Sequence, residues 1–219
     1  MASMLAAHLG APGSPLSILC LGAHADDIEI GCGATLLRLL AERPGSRVRW
    51  VVFSANETRE PEARASAAAF LSGSPESVVE ILHFRESFFP SVAPEIKTTF
   101  ERLKGGPAPD LVLCHRPVDL HQDHRTIGEL AWNTFRNHVI AEYEIPKYEG
   151  DLGQPNLFVP VPRAIAMKKI ELITTHFPSQ ANRAWFRGET FEALMRVRGV
   201  ECNAPEHFAE AFYTRKLVF

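Results

Sequence analysis

Leu19-Cys20-Leu21-Gly22-Ala23-His24-Ala25-Asp26-Asp27-Ile28-Glu29-Ile30-Gly31-Cys32-Gly33 is the stretch from which the fold is read. An apolar run of strand length ends at Gly22-Ala23, and one imidazole and two carboxylates follow within four residues. Two glycines then lead into a helical pattern over residues 33–42, stopped by Pro44-Gly45. Residues 47–53 form a second apolar strand, so the chain opens with a strand, a helix and a strand, a βαβ unit with a right-handed crossover. Open α/β sheets place their sites where a strand feeds such a turn.

The alternation continues outward. Residues 63–71 are Ala-rich and helical, with Pro61 suited to the first turn. Residues 77–84 read as a third strand and residues 94–104 as a helix. Residues 110–115 are the short, continuously apolar run of a central parallel strand. A helix over residues 125–137 and a strand over 139–145 follow. Residues 146–162, rich in Gly and Pro, read as a long covering loop. Helices over 163–176 and 188–197 and a last strand within 208–219 complete the chain. The expected architecture is a three-layer, Rossmann-like α/β fold: a mostly parallel sheet, helices on both faces and a C-terminal covering segment. Residues 1–15 are expected to be a flexible leader and 16–219 one domain.

Composition narrows the classes. The 219 residues carry a net charge of −3, which argues against a nucleic-acid or anionic-membrane partner. No apolar run reaches the roughly 20 residues of a membrane helix. The four cysteines are widely spaced with no C-x-x-C, so they read as reduced, buried residues of a cytoplasmic protein.

A second polar cluster, His121-Gln122-Asp123-His124, again follows an apolar strand. Taken alone, His24-x-Asp26-Asp27 is explained as well by a turn and helix cap, and a lone His-x-x-His is weak. Both at corresponding strand ends favour a metal site. His24, Asp27 and His124 would supply two imidazoles and one carboxylate, leaving the fourth position of a zinc ion to water. Asp26 is then beside the ion as general base, His121 is free to donate to an oxyanion or a leaving amine, and Asp123 can orient an imidazole. His115, at the end of the strand before the second cluster, either supports a ligand from behind or contacts substrate. A dinucleotide site is rejected, since Gly22, Gly31 and Gly33 do not have G-x-G-x-x-G spacing and two aspartates would repel a pyrophosphate. Trp185 and Phe186 are read as core residues before a sugar-stacking pair.

These motifs resemble those of the LmbE-like, or PIG-L, family of zinc-dependent N-deacetylases. The family's Ala-His-Pro-Asp-Asp-Glu and Gly-Cys-Gly-Gly-Thr segments match Ala23-His-Ala-Asp-Asp-Ile28 and Gly31-Cys-Gly-Ala-Thr35. Its His-x-Asp-His matches residues 121–124, and its Arg-x-x-Glu-Ala helix start matches Arg59 to Ala63. The resemblance implies zinc (ferrous iron suits the same donors) on His24, Asp27 and His124. It implies Asp26 as base, His121 as electrophilic or acid partner supported by Asp123, and Arg59 as a substrate contact, although a helix-start ion pair with Glu62 explains Arg59 equally well. It implies a substrate role for Glu86 too, where many relatives have Asp. Ala25 and Ile28 depart from the pattern, and Glu29 is expected to stand in for the missing acid at 28. The implied activity is removal of acetyl from an N-acetylated sugar, with a homo-oligomer as the implied assembly. The rival readings are an amidase on a larger conjugate and a non-catalytic sugar- or nucleotide-binding protein.

Overall fold

The computed structural model describes residues 8–218, so residues 1–7 of the expected leader lie outside them. Within the rest of that leader, the Arg43 guanidinium donates to the carbonyls of Ala11 and Ser14.

Seven strands form one sheet: β1 (Ser17–His24), β2 (Arg47–Ser54), β3 (Val78–Ile81), β4 (Leu111–Cys114), β5 (Val139–Tyr143), β6 (Leu157–Pro160) and β7 (Ala209–Tyr213). Their order is β3-β2-β1-β4-β5-β7-β6. The first five are parallel, while β7 runs antiparallel to both β5 and β6. The helices are α1 (Asp27–Glu42), α2 (Arg59–Phe70), α3 (Ala93–Lys104), α4 (Gln122–Thr134), α5 (Arg163–His176) and α6 (Gly188–Glu201).

The central strands are apolar throughout because both faces are covered. Ile18 and Cys20 of β1 and Trp50 and Val52 of β2 pack with Leu36, Phe70 and Ile173, from α1, α2 and α5. The alternate residues Leu19, Leu21, Val51 and Phe53 pack with Ile96 and Phe100 of α3 and Ile127 and Ala131 of α4. The strand order reverses direction at β1, between β2 and β4, and both polar clusters of the sequence follow β1 and β4. The expected fold class is therefore the observed one.

Two local expectations fail for tertiary reasons. Residues 157–160, inside the expected loop, form the edge strand β6 against β7. More consequentially, α1 begins at Asp27, so Gly31 and Gly33 lie inside a helix and form no turn. They are there for close approach. A Cβ on Gly31 would stand 2.3 Å from Tyr143 Cδ2, and one on Gly33 2.7 Å from Phe70 Cε1. The Tyr143 ring cannot yield, being fully buried with its hydroxyl donating to the Leu21 carbonyl at 2.7 Å. Gly31→Ala is therefore expected to destabilise the protein by about 1–3 kcal/mol through overpacking, despite alanine's better helix propensity. Urea unfolding of the two proteins measures it, and a gain in stability would mean that α1 does not need this contact.

Candidate active site

The turn from β1 into α1 makes the first half of the site. Asp26 is held at φ 99°, ψ −20°, a left-handed conformation costly for any residue with a side chain. Its carbonyl accepts the first helical bond, from the Ile30 N–H at 3.0 Å, but its carboxylate caps nothing. The strain turns the carboxylate away from the helix end and toward Arg59, whose guanidinium lies 2.9 Å from Asp26 Oδ1. Asp26 Oδ2 is buried with no partner among the described residues. Burial raises the Asp26 pKa to about 7, with Arg59 acting in the opposite direction and Asp27 adding to the rise. A near-neutral carboxyl suits a proton acceptor.

Asp27 folds back over the turn, where its Oδ2 accepts from the His24 N–H at 2.7 Å. From β4, the chain enters α4 with His121 as its cap: His121 Nδ1 accepts from the Asp123 N–H at 3.2 Å. This places His124 one turn into the helix, facing His24. The inner atoms converge. His24 Nδ1 is 3.2 Å from His124 Nε2 and 3.5 Å from Asp27 Oδ2, and His124 Nε2 is 3.5 Å from Asp27 Oδ1. Around an ion with arms of about 2.0–2.1 Å, tetrahedral ligand atoms are roughly 3.3 Å apart. Asp27 meets the two rings through different oxygens, and the donor groups close enough to share a cation are His24, His121 and His124 on one side and Asp27, His115 and His124 on the other.

The outer nitrogens are committed elsewhere. His24 Nε2 donates to Asp123 Oδ2 at 3.0 Å, and His124 Nδ1 donates to Asp119 Oδ2 at 3.2 Å. Each bond fixes the tautomer and leaves the inner nitrogen for the ion. Burial works against a charge on His24, yet the Asp123 and Asp27 carboxylates raise its pKa to about 10. Burial, with His115 and His24, lowers that of His124 to about 3. In the ion-free protein a proton between these rings supplies positive charge where the cation fits.

Above this floor opens a cleft of about 240 Å³. Arg59 and Glu86 line one side, and Lys147, Tyr148, Arg183 and Trp185 line others. The more enclosed space bordered by Lys169, Glu210, Glu144 and Arg198 is unrelated to this chemistry, because its charges already pair with one another.

Several sequence expectations change here. His115 does not reach the cleft. Fully buried, it stacks on His124 with ring centroids 3.9 Å apart and sets Nε2 3.0 Å from the Ala23 nitrogen and 3.1 Å from Asp27 Oδ2. It lies behind His124 and Asp27, away from the cleft. Asp123 supports His24, with no carboxylate contact to His121, and it also accepts from the Ser87 and Phe89 N–H groups, which anchors the loop carrying Glu86. Arg59 faces the cleft, but its charge is spent on Asp26 and the Ala25 carbonyl. Its expected rival partner Glu62 instead binds Ser179. Glu29 does not replace the acid missing at 28. It is buried away from the cleft, and burial raises its pKa to about 8. Trp185 and Phe186 divide, the first at the cleft and the second in the core. The sequence reading missed Asp119, although an acid two residues before His121 in the same strand-to-helix turn was a usable signal.

A Rossmann-like sheet whose switch point is floored by imidazoles and carboxylates, with no phosphate-binding glycine turn, defines a hydrolytic enzyme rather than a dinucleotide-binding protein. The sequence profile of PIG-L, described as GlcNAc-PI de-N-acetylase, matches residues 19–135, a little over half the chain. The chain belongs to the PIG-L (LmbE-like) family and is an N-deacetylase. No curated protein matched it in sequence. Among solved structures it is similar to the N,N'-diacetylchitobiose deacetylase from Pyrococcus horikoshii, at 20% identity and TM-score 0.66, over 91% of this chain and 83% of that one. It is similar to the zinc-inhibited form of teicoplanin deacetylase Orf2, at 14% identity and TM-score 0.65, over 90% and 97%. GalB, the 4-carboxy-2-hydroxymuconate hydratase from Pseudomonas putida KT2440, is also similar, at 17% identity and TM-score 0.70, over 93% and 98%. At such identities the likeness is one of fold, and the same fold carries a hydration as well as deacetylations.

Proposed function

We propose that this chain removes the acetyl group from an N-acetylated sugar, a hexosamine conjugate, with a divalent ion held by His24, Asp27 and His124. The observation that carries the reading is the pair His24 Nδ1 and His124 Nε2, 3.2 Å apart, each with one Asp27 oxygen at 3.5 Å, and the buried Asp26 carboxylate beside them. Zinc fits two imidazoles and a carboxylate, and ferrous iron fits them equally. When bound, such an ion polarises an acyl carbonyl and lowers the pKa of an adjacent water toward neutrality.

The protein's own groups supply the proton movements. Asp26 takes a proton from water as the water oxygen bonds to the acetyl carbon, and the carbonyl electrons move onto oxygen. Since Arg59 holds Oδ1, the unpartnered Oδ2 is the proton's seat. His121 has its pKa lowered by burial and by His24, so it is neutral near pH 7. With Nδ1 accepting from the Asp123 N–H, its proton is on Nε2, where it donates to the developing oxyanion. Asp26 then passes its proton to nitrogen as the C–N bond breaks, releasing acetic acid and a free amine. Glu86 accepts from a sugar hydroxyl, and Trp185 offers a face to the ring. No helix among the described residues is long and apolar enough to cross a membrane. The four free, buried thiols fit a reducing compartment, and we place the reaction in the cytoplasm.

Acetate release from a panel of N-acetylhexosamine conjugates, diacetylchitobiose included, tests the reading with chelator-stripped and zinc- or iron-reloaded protein. One acetate per amine, lost on stripping and restored on reloading, is expected. Ion-loaded protein that cleaves a larger amide but no acetamide would transfer the reading to an amidase. Tight sugar binding without turnover would make it a binding protein.

A further inference from the structure

Lys147 is a nearly buried ammonium, 8% exposed, for which the chemistry above has no use. It is carried by the connection between β5 and β6, whose Ile145, Tyr148 and Glu149 line the cleft. Burying an ammonium is expensive unless anions surround it. Lys147 has two, Asp119 Oδ2 at 3.1 Å and the Asp151 carboxylate. Asp151 alone would close the turn, and it does so further by accepting the Leu120 N–H at 2.9 Å, while its carbonyl accepts from Arg116 at 3.0 Å. Asp119 is the informative partner. The oxygen that meets Lys147 also accepts from His124 Nδ1 at 3.2 Å, and its other oxygen accepts the His121 N–H at 2.8 Å.

We infer that Lys147 is a positioning residue coupling the substrate-facing wall of the cleft to the ion site: it pins Asp119 against His124, and so sets the aim of His124 Nε2, while holding Tyr148 and Glu149 in place. The inference rests on the reading that His24, Asp27 and His124 take a divalent ion. Its physical content is one shared carboxylate oxygen. Without the ammonium, Asp119 is free to turn about its side-chain torsions, and the His124 ring loses its fixed tautomer and direction. A substrate pressing on Tyr148 and Glu149 acts on the same lysine, so wall and ligand move together.

Two measurements test it, one of which needs no ion. In ion-free protein, long-range proton–nitrogen spectra of the imidazoles should show His124 protonated on Nδ1 in the wild type and a tautomer mixture in Lys147→Met. In competition with a chromophoric chelator, Lys147→Met should bind zinc about tenfold more weakly, the lower end of the roughly 10–100-fold effects of such outer partners. Lys147→Arg should recover most of this loss. Tyr148→Ala, which trims the wall of the cleft and leaves the Lys147–Asp119 contact in place, should raise KM without changing zinc affinity. An unchanged His124 tautomer together with unchanged zinc affinity in Lys147→Met overturns the inference. So does an equal loss of affinity in Tyr148→Ala, which would assign the effect to the loop. If Lys147→Met does not fold, Lys147→Gln is read by the same two measurements. A wild type that binds no zinc sinks the ion reading alone, because the tautomer measurement still decides the role of Lys147.

Discussion

Asp26→Asn is expected to cut acetate release by about 10²–10⁴-fold, the range lost with a general base, while leaving zinc content and melting temperature near those of the wild type. Asparagine is the informative replacement for a conformational reason. Asp26 lies at φ 99°, where asparagine is among the few residues that fit, whereas alanine would add backbone strain to the loss of the carboxylate. The amide keeps an oxygen for the Arg59 guanidinium, now 2.9 Å from Oδ1, but has no basic atom at the position of the buried Oδ2. On the proposed ligand set of His24, Asp27 and His124, metal content should not follow activity. Turnover within tenfold of wild type would remove Asp26 as the base. A parallel loss of zinc would make its role structural.

What was legible in the sequence follows from how far apart the partners lie. The central parallel strands could be read because each carries an apolar run long enough to be covered on two faces, a local property. The two polar clusters could be read because each begins at the end of such a run, and parallel strands bring their ends to one edge. The start of α1 could not. Gly31 and Gly33 look like turn residues until Tyr143 and Phe70, far along the chain, require bare backbone there. The edge strand β6 is four half-buried residues ending in a proline, and only β7, about fifty residues later, makes it a strand. In the site, the convergence of the two polar clusters was visible as a pattern, but the charge pairing was not. Arg59 is 34 residues from Ala25 and closes on the turn only after β2 and α2 have formed. For His115 a strand-end position does not say which side of the turn a side chain takes, so both of its roles stayed open. It took the buried side, behind His124.

Asp27→Ala is expected to weaken zinc binding by more than the roughly 10–100-fold typical of outer partners, since it removes the only carboxylate of the ligand triangle. The loss is electrostatic as well as geometric. Asp27 is held ionised by the facing rings of His124, His115 and His24, against the cost of its burial. A cation placed between two neutral imidazoles loses that charge. The residue left behind is also telling, because His121 stands ready: ligand atoms of His24, His121 and His124 lie within 4.8 Å of one another. Since His121 Nδ1 already accepts from the Asp123 N–H, only its Nε2 can turn to an ion, and that is the atom assigned to the oxyanion. Residual zinc in Asp27→Ala should therefore vanish in Asp27→Ala/His121→Ala, measured by chelator competition, and acetate release should be absent from both. If Asp27→Ala instead binds zinc as tightly as wild type, the resting ion sits on three imidazoles. His121 would then be a ligand, and the donor to the oxyanion would have to be sought among the other groups of the cleft, Arg59 and Lys147 first.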